Sequence, residues 1–328
     1  MMNQRKEYID RLKGVLILMV IILHASYSVL GLSDNYLSLL FGPVVMPIFM
    51  FLSGLVIKEP PSAGKLGLKL VRFWSPFIFI GLTFGLCSMG VKGLNGFFLS
   101  NFKLGYWYLY VLGIFYLILY LIRFNSEDRT PRGIFVDITL LFGLMALFYC
   151  FEKAFPTILA DVFSIQLCRQ NWFFFYAGYI IRKYQLAQFL FDNDRLYALS
   201  LTAIVPLFYL QGLNPHFYIL ISLCLIIILF YLFRQRNNIH TLAENELSRL
   251  GRRSMDIYVL HYFFVRLNGS FRFRELGLWF YNTDNKLLEF VFLVFLSVFI
   301  AYLCLLLGNV LRRSKLLCVI IFGERNVR

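Results

Sequence analysis

Ten apolar runs, separated by short loops rich in basic residues, limit what this chain can fold into more than any other feature of it. They lie at roughly 15–31, 37–57, 72–91, 105–122, 133–151, 161–181, 196–211, 216–233, 254–268 and 287–311. A bilayer core asks for about 20 apolar residues per helix, and most of the runs meet that length. The runs from 196, 216 and 254 are short, and the stretch 152–181 is interrupted by charge. Inside lipid every backbone N–H and C=O must be satisfied within the segment itself, which restricts such runs to helices. The expectation is an all-α, polytopic membrane protein with about ten transmembrane helices. Composition agrees: 59% hydrophobic, 19% aromatic and 15% charged residues give more apolar surface than the shell of a soluble globule can hide.

The net charge of +14 would suggest nucleic acid in a soluble protein. Here the basic residues sit in short loops and read as topology signals. Alternate assignment of the loops, with Arg5, Lys6, Arg11 and Lys13 inside, places 24 Lys and Arg inside and 8 outside. This predicts N and C termini in the cytoplasm, with short tails at 1–14 and 312–328 on one membrane-embedded domain spanning 1–328. Loops 58–71 and 234–253 are expected inside, and 268–286 outside. A cleaved signal peptide is the rival reading of the N-terminus, but Glu7 and Asp10 would fall in its basic region and the cleavage site is poor. In the 234–253 loop, Thr241 to Glu244 fits a capping box and Gly251 is placed to close a short surface helix. The 268–286 loop, with Arg272, Arg274, Trp279 and Tyr281, either covers an outward cavity or floats aromatics at the interface. Asn268-Gly269-Ser270 is a formal sequon of a common kind and carries no weight. Cys87, Cys150, Cys168, Cys224, Cys304 and Cys318 lack metal-like spacing and read as thiols packed in the bilayer, with a Cys150–Cys168 disulfide across an outer loop as the minority reading.

An ionisable side chain inside a span is costly, which makes His24 a candidate functional group. It follows Lys13 by eleven residues, which at 100° per residue returns to within about 20° of the same helix face, roughly 16 Å deeper. Asp10, Lys13, Val20, His24 and Ser28 therefore form one stripe. A desolvated imidazole stays neutral and can accept a proton, as a general base must. The competing reading is a neutral His that hydrogen-bonds a neighbouring helix and only packs.

Tyr8-Ile9-Asp10-Arg11-Leu12-Lys13-Gly14, with a run ending in His24, and Pro47-Ile48-Phe49-Met50-Phe51-Leu52-Ser53-Gly54 resemble the membrane-bound acyltransferase 3 family. The family's basic residue, ten intervening positions and His are matched by Lys13 and His24. Its paired basic residues at the start of span three are matched by Lys69 and Arg72, with Lys in place of the usual first Arg. Ser254-Met255-Asp256-Ile257-Tyr258-Val259-Leu260-His261 is similar to the family's late Ser/Tyr/His helix. The resemblance covers nearly the whole chain. It implies O-acyl transfer, acetyl by preference, from acyl-CoA to a glycan or lipid-linked sugar in the bacterial cytoplasmic membrane. His24 would be the catalytic base, with no tightly bound cofactor and no metal.

The residue chemistry is compatible with that implication. A sugar hydroxyl is a poor nucleophile until its proton is drawn off, and donor phosphates need cations such as Lys13, Lys69 and Arg72. Lys69 and Arg72 also fit plain topology signals. Ser254, Tyr258 and His261 share one helix face, where they either line the cavity or supply interhelical hydrogen bonds. Pro43, Pro47 and Ser53-Gly54 suggest a kinked second span packed closely on its neighbours. No acidic partner for His24 stands out; Asp34, Asp256 and Glu289 are nearest in depth. Some relatives carry an extra extracytoplasmic hydrolase-like domain, whereas this chain ends soon after the tenth run. The alternative function is a transporter or flippase for a glycolipid or polysaccharide precursor. Against it stands the absence of an evident hydropathy repeat between the halves. A scaffold role would leave Lys13 and His24 unexplained.

Overall fold

The structure is a computed structural model, and it describes residues 7–31, 36–214, 217–236, 241–266, 274–283 and 285–324. Among these residues all regular structure is helical. In chain order the α-helices begin with α1 (Glu7–Ser28), α2 (Tyr36–Leu55), α3 (Ala63–Met89), α4 (Val91–Leu99) and α5 (Trp107–Leu121). There follow α6 (Pro131–Ala154), α7 (Thr157–Val162), α8 (Ile165–Lys183), α9 (Ala187–Phe191), α10 (Asp194–Leu213) and α11 (Tyr218–Gln235). The last are α12 (Leu242–Arg252), α13 (Ser254–Val265), α14 (Arg274–Thr283), α15 (Lys286–Leu311) and α16 (Lys315–Phe322). Five of them, α2, α3, α6, α11 and α15, are long and apolar enough to cross a membrane, and α5 is a shorter apolar helix.

The described part of each of the ten apolar runs is largely helical, with instructive differences at the ends. Helix α1 begins at Glu7, before its apolar run, since Glu7 and Asp10 in the first turn suit the positive end of the helix dipole. Helix α3 likewise takes in the segment carrying Lys65 and Lys69. The run expected from residue 161 starts at Ile165 instead. Pro156 follows the end of α6, and Ser164, at φ 51° in the left-handed region, separates α7 from α8. All six cysteines are free, so Cys150 and Cys168 form no disulfide. Asp34, the Asn268 to Ser270 sequon, Arg272, Arg5 and Lys6 lie outside the described residues.

Packing divides the chain into two compact units, one formed by residues 1–49 and 186–306, the other by 50–185 and 307–328. In the first, α1 is enclosed along most of its length and α12 lies against it. The approach is backbone to backbone. A side chain at Gly14 would meet the Leu247 carbonyl, and one at Gly251 would meet the carbonyl of Asp10. The capping box forms as the sequence predicts: the Thr241 hydroxyl accepts from the Glu244 amide and the Glu244 carboxylate from the Thr241 amide. Gly251 has a different role from the expected terminator, since α12 runs through it to Arg252 and its missing side chain is what admits α1. Arg11 is buried, donating to the Arg236 carbonyl at 2.7 Å and to Glu7 at 3.2 Å. It ties the start of α1 to the C-terminal end of α11.

In the second unit, α8 and the last turns of α2 meet through Gly54 and Gly178, each facing a carbonyl of the other helix. Helix α2 keeps Pro43 and Pro47 inside it, and Ser53 hydrogen-bonds Tyr108 at 2.9 Å. The most demanding feature is a buried ion pair. Lys183 at the end of α8 donates to Asp137 of α6 at 2.6 Å, with both side chains 2% exposed. The Asp137 carboxylate also accepts from Asn125, Tyr176 and Tyr184, and the Lys183 ammonium also donates to the Asn125 carbonyl. A buried pair of this kind is tolerable because its remaining lone pairs and protons are satisfied.

Candidate active site

Helix α1 carries both Lys13 and His24 without a break, so their separation along the axis is the roughly 16 Å the sequence implies. Asp10 and Val20 of the predicted stripe are buried, while Lys13, His24 and Ser28 are half-buried. The His24 ring lies beside two consecutive residues of α13. Its centroid is 5.3 Å from that of His261 and 4.7 Å from that of Tyr262. Neighbouring positions on a helix diverge by about 100°, so the imidazole sits in the crook between them.

The hydrogen bonds determine what each ring can do. His261 Nδ1 faces the carbonyls of Tyr258 at 2.7 Å and Ile257 at 3.2 Å, and a carbonyl only accepts. His261 therefore carries its proton on Nδ1. Its Nε2 is a bare lone pair, fully buried and without a hydrogen-bond partner. His24 Nε2 contacts the Tyr262 hydroxyl at 2.9 Å. Two proton arrangements satisfy that contact. If Tyr262 donates, His24 has its proton on Nδ1 and no lone pair to offer; if Nε2–H donates to the phenolic oxygen, Nδ1 is the open base. Base catalysis without displacing Tyr262 requires the second.

Of the residues singled out from the sequence, His24, Tyr258 and His261 come together, the Tyr258 ring standing 5.9 Å from that of His261. Ser254 opens α13, about 10 Å below His261 along the axis, and is not brought to the imidazoles. Lys69 and Arg72 lie three residues apart near the start of α3 in the other unit. Lys69 Nζ stands 5.5 Å from the centre of the Tyr116 ring, and Arg72 is ion-paired with Glu324 at 3.2 Å. Asp256 accepts from Arg253 at 2.5 Å, and Glu289 lies 3.9 Å from Lys286.

Among the described residues, the group hydrogen-bonded to His24 is the phenol of Tyr262. Tyr262 was beyond sequence reasoning, since 238 residues separate it from His24 and it falls one position off the Ser254, Tyr258, His261 face. Removing its hydroxyl tests the arrangement. Tyr262→Phe keeps the ring and frees the imidazole to rotate. Losing one such bond lowers kcat about 3- to 10-fold while KM for the donor stays unchanged. Steady-state kinetics of the purified variant check it, and a change confined to KM would show that Tyr262 does not orient His24.

A chain whose described residues fold into helices, several of them long and apolar enough to span a bilayer, and which holds a half-buried imidazole against a tyrosine hydroxyl, has the build of a multi-pass membrane protein. The model of the acyltransferase 3 family, an acyltransferase domain, matches residues 6–306, and the chain belongs to that family. It is a membrane acyltransferase. No curated protein and no solved structure matches it.

Proposed function

We propose that the protein transfers an acyl group, acetyl by preference, from acyl-CoA to a hydroxyl of a cell-surface or lipid-linked sugar, with His24 as general base. The observation that carries this reading is the His24–Tyr262 contact beside the bare Nε2 of His261. Two imidazoles stand side by side, and His24, the half-buried one, can present a lone pair to an O–H donor beside the buried ring of His261. In the reaction, His24 Nδ1 draws off the hydroxyl proton as the oxygen attacks the thioester carbonyl. The new C–O bond forms, the C–S bond breaks, and the proton passes from the imidazolium to the departing thiolate. His24 is left neutral for the next cycle.

The topology that fits is ten spans with both termini in the cytoplasm, as the split of 24 to 8 basic residues supports. Lys13, Lys69 and Arg72 are assigned to the donor phosphates. A charge-assisted bond to phosphate contributes about 1.5 to 3 kcal/mol, so Lys13→Ala or Arg72→Ala raises KM for acyl-CoA roughly 10- to 100-fold. Arg72→Lys keeps the charge without the planar fork and falls between.

The test is transfer of labelled acetyl from acetyl-CoA to a lipid-linked sugar by purified protein in nanodiscs. Stable label on the sugar supports the reading. Binding of the sugar with no transfer from any acyl-CoA would overturn it.

A further inference from the structure

After α15 the chain turns back, and α16 packs on the start of α3. Two features lock it there. The Ser75 hydroxyl donates to the carbonyls of Val319 and Ile320, at 3.2 and 2.9 Å, in the last turn of α16, where the Val319 carbonyl also accepts from the Gly323 amide. Gly323 ends the helix in the left-handed conformation, φ 63°, directly against the Arg72 backbone, where a side chain would collide. The next residue is Glu324. Its Oε1 accepts from Arg72 at 3.2 Å and its Oε2 from Arg312 at 2.7 Å. Arg312 is itself held in place, with its guanidinium 4.2 Å from the centre of the Phe322 ring.

One carboxylate thus bridges two guanidinium groups, and Lys69 lies one helical turn before Arg72. A phosphate ester carries more charge and more acceptor oxygens than a carboxylate, and fits an arginine fork better. Arg72 and Glu324 remain partly open to solvent, so the pair can be reached from outside.

We propose that Arg72 and Arg312 form a fork for a phosphate group of the soluble acyl donor, and that Glu324 occupies this fork in the empty protein and is displaced when donor enters. The proposal rests on the donor being a phosphate-bearing thioester, as above. It adds Arg312 as a donor ligand and makes the Glu324 carboxylate the group that yields to the donor. Both Arg312 and Glu324 lie beyond residue 306, where the family match ends.

The experiment compares wild type, Glu324→Gln, Arg312→Lys and Arg312→Ala in nanodiscs of zwitterionic lipid, titrated with inorganic pyrophosphate and with CoA. Melting temperature is followed in parallel. Glu324→Gln removes the competing charge, and binding of both probes tightens about 3- to 10-fold; Arg312→Ala weakens it by about 10-fold or more, and Arg312→Lys by less. Unchanged or weaker binding in Glu324→Gln, with a lower melting temperature, would make Glu324 a structural clamp and overturn the proposal. If the Glu324→Gln effect appears only after phosphatidylglycerol is added, as lipid retention without tighter pyrophosphate binding, the fork serves a lipid headgroup and the proposal is likewise overturned. Pyrophosphate binding is independent of turnover, so the two readings separate. Tighter binding without acyl transfer would retain the fork and discard the sugar acyltransferase. Transfer with wild-type donor KM in both Arg312 variants would do the reverse.

Discussion

His24→Ala lowers kcat for acyl transfer by about 10² or more, the scale of losing a general base, with little change in donor KM. The imidazole meets α13 through the rings of His261 and Tyr262 and one hydroxyl bond, whereas α1 and α13 pack along several further positions, so the helix packing is expected to survive its removal. The leftover cost is a Tyr262 hydroxyl without its His24 partner, about 1 to 3 kcal/mol of stability. Membrane level and melting temperature separate that cost from the chemistry. Near-normal turnover in the alanine variant would mean that His24 packs and does no more, and the catalytic assignment would fall. A parallel His261→Gln variant shows whether the bare Nε2 matters to acceptor binding, which KM for the sugar reads.

Lys183→Met unfolds the second unit more readily than any surface change. It leaves Asp137 buried without its cation, although Asn125, Tyr176 and Tyr184 still donate to the carboxylate. Breaking one partner of a buried pair costs about 3 to 5 kcal/mol, because the surviving charge has neither water nor a counter-ion. The double variant Asp137→Leu, Lys183→Met removes both charges and recovers a large part of that loss, since an apolar pair of similar volume carries no desolvation cost. Thermal or denaturant unfolding in detergent measures all three variants. A cost below about 1 kcal/mol for Lys183→Met would show that the pair is open to water in solution.

Both sites show what a linear reading can reach. The helices were legible because lipid imposes a length and an internal hydrogen-bonding rule on each apolar run, and each run is largely helical in its described residues. The capping box of α12 was legible because its partners are three residues apart. His24 stood out because an ionisable group in an apolar run is rare, and its register with Lys13 follows from helix geometry alone. The Lys183–Asp137 pair was not legible, because nothing local marks two residues 46 positions apart as partners.

Sequence by itself determined the class of the fold, the family resemblance and the histidine, since each rests on spacing within one segment or on hydrophobicity summed along it. Tertiary structure alone decided the rest. It brought Tyr262 to His24, put the proton of His261 on Nδ1, made Gly251 a contact with α1, and brought Glu324 to Arg72 across 252 residues. The physical reason is the same in each case. A hydrogen bond or ion pair acts over about 3 Å, and which groups come that close depends on how helices far apart in the chain pack, a relation that composition and periodicity do not contain.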